Sequence, residues 1–104
     1  MQLSLVVLKS ADIAALSRFY DSIGIKMTLE QHGEGPLHYS GQLDIGVIEI
    51  YPAKNATKTT FGIAVESDGV FRAAWMAAGG KASGNGQLLL DPDGNSVFVS
   101  GRNA

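Results

Sequence analysis

One acidic residue lies in a setting that is unusual for a charged side chain. Glu49 stands within residues 45–51, where alternating apolar side chains predict a strand. A buried carboxylate is costly unless it is paired, protonated or facing a ligand. Glu49 could therefore face a cationic ligand or act as a general base. The structural alternative is a carboxylate that hydrogen-bonds Tyr39, Tyr51, His38 or water.

The two histidines of the chain, His32 and His38, are six residues apart across a turn-rich stretch. Their spacing matches no recognised metal-binding pattern, so we expect each to be a surface or edge histidine. His38 falls in a predicted strand and is the one conventional acid–base residue near Glu49. If a reaction is catalysed, Glu49 or His38 is its base. Cysteine is absent, which excludes disulfides, thiolate metal ligands and cysteine nucleophiles.

Composition excludes several classes of function. The 104 residues allow one domain, and 45% of them are apolar, which suffices for a core. Eight basic against ten acidic residues give a net charge of −2, so we expect no nucleic-acid partner, which would need a basic face. No apolar run approaches the roughly 18 residues of a membrane span. The first residues lack the basic region and cleavage site of a signal peptide, so we expect a cytoplasmic protein with no membrane partner.

The elements that position these residues occur twice along the chain. In each half, hydrophobic periodicity predicts a strand, an amphipathic helix and then two or three further strands. The predicted segments are a strand over 3–8, a helix over 12–23 capped by Asp12 and ended by Gly24, strands over 26–31, 37–39 and 45–51, a strand over 61–65, a helix from Asp68 to about Ala78 ended by Gly79-Gly80, and strands over 87–91 and 96–100. A strong turn signal, Asp91-Pro92-Asp93-Gly94-Asn95, precedes the final strand.

This order is an internal repeat. An offset of 56 residues aligns Leu5 with Phe61, and an offset of 49 aligns residues 47–50 with 96–99. A half of about 50 residues cannot hide both faces of its own sheet, whereas two halves can close a shared curved sheet. We therefore predict a single domain.

The final strand of each half predicts which side chains face a cavity. The helix-covered face should be uniformly apolar, and the opposite face is mixed. The apolar set is Ile48, Ile50, Val97 and Val99, and the mixed set is Val47, Glu49, Tyr51, Ser96, Phe98 and Ser100. Mixed polar and aromatic character suits a ligand cavity better than a helix contact.

Taken together, these residues resemble the vicinal oxygen chelate superfamily, which includes glyoxalases, bleomycin-resistance proteins and extradiol dioxygenases. The features that carry the resemblance are residues 5–8 leading to Asp12, Phe19-Tyr20 with Gly24, residues 47–50, and the 91–95 turn. The resemblance covers nearly the whole chain. It implies an α+β fold of two βαβββ modules, at about 1–53 and 59–102 within the domain 1–104, which form an eight-stranded incomplete barrel around a central cavity.

Many members of that superfamily bind a divalent metal through the first and last strands of each module. The matching positions here are Leu5, Glu49, Phe61 and Phe98, of which only Glu49 has a lone pair to offer. A shift by one residue does not restore a ligand set. The resemblance therefore implies a branch without a metal or other cofactor, similar to the bleomycin-resistance proteins, which sequester cationic drugs without chemistry and underlie antibiotic resistance.

From these inferences we expect the cavity to bind a small organic ligand, cationic or aromatic, without a metal. The expected ligand-binding residues are Glu49 for charge, Leu5, Phe61 and Phe98 as walls, Tyr51 at the rim, and His38. Two alternatives stay open: a lyase or isomerase of the glyoxalase type or another enzyme of the superfamily, and an interaction module with a collapsed cavity. Exposed sheet edges and the resemblance together predict a homodimer.

Overall fold

The structure, a computed structural model, describes residues 1–103 and divides into two compact units, residues 1–57 and the residues from 58 onward. The first unit contains β1 (Leu5–Ser10), α1 (Ile13–Ser22), β2 (Met27–Glu30), β3 (His38–Gln42) and β4 (Val47–Pro52). The second contains β5 (Thr60–Ser67), α2 (Asp68–Ala77), β6 (Lys81–Ala82), β7 (Leu88–Leu90) and β8 (Ser96–Asn103). Each unit has the order βαβββ, which confirms the predicted α+β fold.

Each unit forms its own four-stranded sheet, and neither sheet closes into a barrel. The first has the order β1-β4-β3-β2 and the second β5-β8-β7-β6. The first and last strand of each unit pair in parallel, and the other neighbours are antiparallel. In both units the helix is the crossover between the first strand and the rest. Neither helix in the described part of the chain is long and apolar enough to cross a membrane.

The first helix begins and ends where the sequence predicts. The backbone N–H of Ala15 donates to the Asp12 carboxylate at 3.1 Å, which satisfies one of the free donors at the helix start. Gly24, with φ of +108°, allows the left-handed turn that ends the helix. Its apolar stripe packs on one face of the sheet, and the buried side chains of this core are Leu8, Leu16, Phe19, Tyr20, Ile48 and Ile50.

The second helix is capped by Ser67 rather than by the predicted Asp68. The backbone N–H of Val70 donates to Ser67 Oγ at 3.2 Å, and Asp68 is already the first helical residue. Trp75, fully buried, fixes this helix to its sheet, because its Nε1–H lies 3.2 Å from the Lys81 carbonyl and 3.1 Å from the Leu90 carbonyl. These two contacts of the Trp75 indole hold β6 and β7 against α2.

The structure also corrects the register of the internal repeat. Asp12 and Ser67 are equivalent caps. The backbone carbonyls of Tyr20 and Trp75 accept equivalent hydrogen bonds from the backbone N–H groups of Ile25 and Gly80, at 3.1 and 2.9 Å. Every one of these pairs is 55 residues apart, not 56. The final strands keep the predicted offset of 49 residues. Val47 pairs with Leu5 in the first unit, and Ser96 pairs with Thr60, the equivalent of Leu5, in the second.

The one-residue shift changes the position of Phe61. It pairs with Val97 in the parallel ladder, so both side chains point to the same face of the second sheet, and Val97 is fully buried in the core. Phe98 points to the opposite face. Leu5 is therefore equivalent to Thr60, and the expectation that Phe61 and Phe98 share a cavity wall is wrong.

The turn at residues 91–95 forms a hydrogen-bonded clamp. The Asp91 carboxylate accepts from the backbone of Asp93 and Asn95 at 2.9 Å and from Asn95 Nδ2 at 2.8 Å. Asn95 Oδ1 in turn accepts from the backbone N–H of Thr59 at 2.8 Å. Gly94 takes a φ of +89°, which an L side chain rarely adopts. The motif therefore has a structural role: it fixes the start of β5 to the hairpin of β7 and β8.

Candidate functional site

The first sheet has one face against α1 and one that carries the chemistry. Register places Leu5, Val7, Lys9, Thr28, Glu30, His38, Ser40, Val47, Glu49 and Tyr51 on this second face, which we call the Glu49 face. Ile48 and Ile50, on the other face, are buried against the helix, whereas Glu49 and Tyr51 are half-buried. The alternation predicted for this strand is confirmed.

Glu49 lies near the middle of this face, on β4, with Val7 beside it on β1 and Ser40 on β3. Its side chain is 19% exposed, so the carboxylate is accessible from solvent. Among the side chains of residues 1–101, only His38 lies within ion-pair distance, with Nε2 3.9 Å from Glu49 Oε2. The carboxylate thus retains acceptor capacity for a donor or cation that comes from outside the chain.

His38 is not the surface or edge histidine that its spacing predicts. It lies on β3, an interior strand of the sheet, and only 1% of its surface is exposed. Its ring stacks on Tyr51, with centroids 4.2 Å apart and planes at 8°. Nδ1 lies 3.2 Å from the Pro36 carbonyl, an acceptor, so Nδ1 carries the hydrogen and Nε2 faces the carboxylates.

Two further side chains meet His38, and sequence reasoning singled out neither for this position. Glu30, the cross-strand partner of His38 on β2, places Oε1 3.3 Å from His38 Nε2. His32 is 74% exposed, as predicted for a surface residue, but its ring stacks on His38 with centroids 5.1 Å apart. Its Nε2 lies 3.5 Å from the same Glu30 oxygen. A turn closed by the Gly35 N–H and His32 carbonyl, at 3.0 Å, folds His32 back over the sheet.

Tyr51 responds to the charge of this face. Partial burial raises the pKa of its phenol, and the negative charges of Glu49 and Glu30 raise the pKa further. The phenol therefore stays neutral at physiological pH and offers an O–H donor beside the two carboxylates.

The expected apolar walls are distributed differently from the prediction. Leu5 lies on the Glu49 face and is 47% exposed. Phe98 lies exposed on the second sheet, and Phe61 lies on the opposite face of that sheet. The first unit therefore brings together four of the predicted site residues, Glu49, His38, Tyr51 and Leu5, and the two phenylalanines belong to the second.

Comparisons with known proteins agree with this architecture. A glyoxalase/bleomycin resistance protein from Albidiferax ferrireducens T118 superposes with a TM-score of 0.75 at 23% identity, covering 96% of this chain and 98% of that one. The chain has the glyoxalase/bleomycin-resistance fold. The resemblance inferred from the sequence is thus confirmed for the fold. No protein-family model matches the sequence, and no curated protein matches it.

Solved structures with this fold include both binders and enzymes. A bleomycin-binding protein complexed with bleomycin has a TM-score of 0.68 at 16% identity, and the match covers 98% of both chains. A lactoylglutathione lyase from Agrobacterium tumefaciens has a TM-score of 0.65 at 18% identity, over 94% of this chain and 91% of the enzyme. Identities this low establish the shared fold, and the site residues must carry the argument about function.

The positions at which the superfamily resemblance expects metal ligands can now be reassigned. The corrected register assigns Thr60, not Phe61, to the position in the second unit that is equivalent to Leu5; the other three positions stay Leu5, Glu49 and Phe98. A threonine hydroxyl is a weak ligand compared with imidazole or carboxylate, so Glu49 is still the one strong donor among the four.

Proposed function

We propose that this protein binds a small organic cation with an aromatic or otherwise apolar body on the Glu49 face of its first unit. The observation that carries the proposal is the Glu49 carboxylate, which is accessible and lies on one face with Val7 and Leu5. Among the described side chains, only His38 comes within ion-pair distance of it. Sequestration is the simplest outcome of such binding, since the contacts need charge and apolar surface but no reaction.

The charge of the site favours a cation. Glu49 and Glu30 both flank His38 and both act on the Tyr51 phenol. Lys9, on the neighbouring strand, is not among the groups that pair with either carboxylate in the described chain. A cationic group at about 4 Å from Glu49 would gain roughly 1 kcal/mol in water and roughly 4 kcal/mol at the effective dielectric of a protein surface.

The surroundings of the charge favour an apolar or aromatic body. Leu5 and Val7 are exposed on the same face, beside Glu49 along β1 and β4. The Tyr51 ring, which stacks on the buried His38 ring, lies on the same face beside Lys9. Aromatic and aliphatic walls with a few placed polar groups are the usual composition of a small-molecule site.

Binding is also what some structures with this fold are known for. One of them is described as a bleomycin-binding protein complexed with bleomycin, and another as the protein of bleomycin-producing Streptomyces verticillus complexed with copper(II)-bleomycin. The enzyme alternative has a structural counterpart in lactoylglutathione lyase. The interaction-module alternative requires packed side chains at the predicted walls, whereas Leu5 and Phe98 are exposed.

The proposal is tested by calorimetric titration in buffer that contains a chelator. The probes are proflavine, an aromatic cation, and acridine, a neutral compound of similar shape in mildly alkaline buffer. We expect saturable binding of proflavine and weaker binding of acridine. Glu49→Gln should weaken proflavine binding at least about tenfold, which corresponds to about 1.4 kcal/mol, and should leave acridine unaffected.

The matched control is Glu66→Gln, which removes the same charge from an exposed position on β5 of the second unit. It should leave both affinities unchanged. Equal affinities of proflavine for the wild type and Glu49→Gln would remove Glu49 from the mechanism. The absence of saturable binding of either probe would contradict the proposed function.

A further inference from the structure

Glu30, His32 and His38 form a cluster that the proposed function does not use as a unit. Their ligand-type atoms all lie within 4.8 Å of one another. None of them occupies a position at which the superfamily resemblance expects a metal ligand, because they come from β2, the β2–β3 loop and β3. The cluster therefore lies apart from the expected metal positions, at the β2 edge of the first sheet.

The distances within the cluster fit a tetrahedral metal ion. Bonds of 2.0–2.1 Å from zinc to nitrogen or carboxylate oxygen place two ligand atoms about 3.3–3.4 Å apart at the tetrahedral angle. Glu30 Oε1 lies 3.3 Å from His38 Nε2 and 3.5 Å from His32 Nε2. Two edges of the expected tetrahedron are thus already formed, with Glu30 Oε1 at the shared corner.

The orientation of His38 is an independent indication of a ligand. Its Nε2 is buried and makes no hydrogen bond within the described chain, although it lies close to the Glu30 carboxylate. An unsatisfied buried nitrogen normally costs about 1–3 kcal/mol. The other ring nitrogen, Nδ1, is held by the Pro36 carbonyl, so Nε2 is the ring nitrogen that faces the carboxylate oxygens. A backbone carbonyl on the far nitrogen is the arrangement that orients metal-binding histidines.

The remaining two ligands suit a metal that enters from solvent. His32 is largely exposed, so it can close over an incoming ion without rearrangement of the core. Glu30 is also partly exposed. Glu49 Oε2, at 3.9 Å from His38 Nε2, adds a second negative charge beside the site. Two imidazoles and one carboxylate leave the fourth position of a tetrahedral ion open.

We propose that Glu30, His32 and His38 bind one divalent transition-metal ion, with zinc as the best match to this ligand set. The site goes beyond the proposed function, because it rests on Glu30 and His32 rather than on Glu49. Two neutral imidazoles and a carboxylate favour zinc over magnesium or calcium, which prefer oxygen ligands only.

The experiment is a calorimetric titration of zinc chloride into the tag-free, chelator-stripped full chain at neutral pH. We expect one zinc ion per chain. His32→Ala, at an exposed position where loss of folding is not a concern, should weaken zinc binding at least about tenfold, and Glu30→Gln should do the same. Glu34→Gln removes a charge from an exposed residue of the same loop and should leave the affinity unchanged. Cobalt(II) gives a second readout, since a four-coordinate ion absorbs intensely in the visible range.

Loss of zinc binding in His32→Ala and Glu30→Gln, with retention in Glu34→Gln, supports the site. Absence of zinc binding to the wild type, or binding that is equal in all four proteins, overturns it. The organic-cation titration is run with a chelator and the zinc titration without organic probe, so failure of one proposal is distinguishable from failure of the other.

Discussion

Asn95 should be one of the most sensitive positions in the second unit, and Asn95→Ala is the perturbation that tests this. The side chain is fully buried. Its Nδ2 donates to the Asp91 carboxylate, and its Oδ1 accepts from the Thr59 backbone, both at 2.8 Å. Alanine removes both contacts and leaves a buried carboxylate oxygen and a backbone N–H without these partners.

The expected loss can be worked from those two contacts. A hydrogen bond to a charged group contributes about 1.5–3 kcal/mol and a neutral one about 1 kcal/mol. Allowing for partial relaxation, we expect Asn95→Ala to lower the free energy of unfolding by about 3 kcal/mol. In a domain of this size that corresponds to a fall in Tm of roughly 12–24 °C.

The assay is urea unfolding followed by circular dichroism, with thermal unfolding as a second measure. Asn55→Ala, at an exposed position, is the control and should change stability by less than about 0.5 kcal/mol. Asn95→Asp keeps the acceptor for Thr59 but directs an oxygen at the Asp91 carboxylate, so it should be at least as destabilising as alanine. A loss below about 1 kcal/mol in Asn95→Ala would refute the clamp.

Two further predictions concern Tyr51 and assembly. Tyr51 should ionise above the ordinary tyrosine pKa of about 10, and Glu49→Gln should lower that pKa. The measurement is a pH titration of tyrosinate absorbance in chelator-containing buffer, from which the titration of Tyr51→Phe is subtracted. Because the pKa of Tyr51 is raised in the folded state, the neutral phenol contributes to stability below about pH 10, and this contribution is lost as pH rises through the folded pKa. Ionisation of Tyr51 at its ordinary pKa would contradict the prediction. The edge strands β1 and β2 predict a homodimer by sedimentation equilibrium, and a monomer at every protein concentration would contradict it.

Much of the fold could be predicted because local signals agree with the tertiary structure. Asp12 caps α1 and Gly24 ends it, as the residue types indicate. The alternation around Glu49 correctly separates the buried Ile48 and Ile50 from the other face. These are short-range consequences of helix capping and of the two-residue period of a strand, so they need no knowledge of distant contacts.

The sequence predicts less well the features that depend on strand register. Ser67 and Asp68 are both good caps, and the choice between them moves the repeat by one residue. In a strand, a shift of one residue turns a side chain to the other face, and for that reason the predicted register puts Phe61 on the wrong face. The signal for the correct offset is the pair of large aromatic residues Tyr20 and Trp75, which are both fully buried and 55 residues apart.

The cluster around His38 could not be derived from spacing. Glu30 and His38 become neighbours only because β2 and β3 pair in one particular antiparallel register across a seven-residue connection. A connection of that length does not fix the register, unlike a two-residue turn. The available signal was Glu30 itself, an acidic residue at the end of a strand that leads into His32 and the turn.

The central claim is that organic cations bind to the Glu49 face, and amide chemical-shift mapping by NMR during a proflavine titration tests it most directly. We expect saturable shifts that are largest at Ser40, Glu49 and Tyr51, with little change at Gly94 in the clamp of the second unit. In Glu49→Gln, at least about tenfold more proflavine should be needed to reach the same fraction of the maximal shift. Largest shifts at Gly94 and its neighbours, or no saturable shifts at all, would contradict the account.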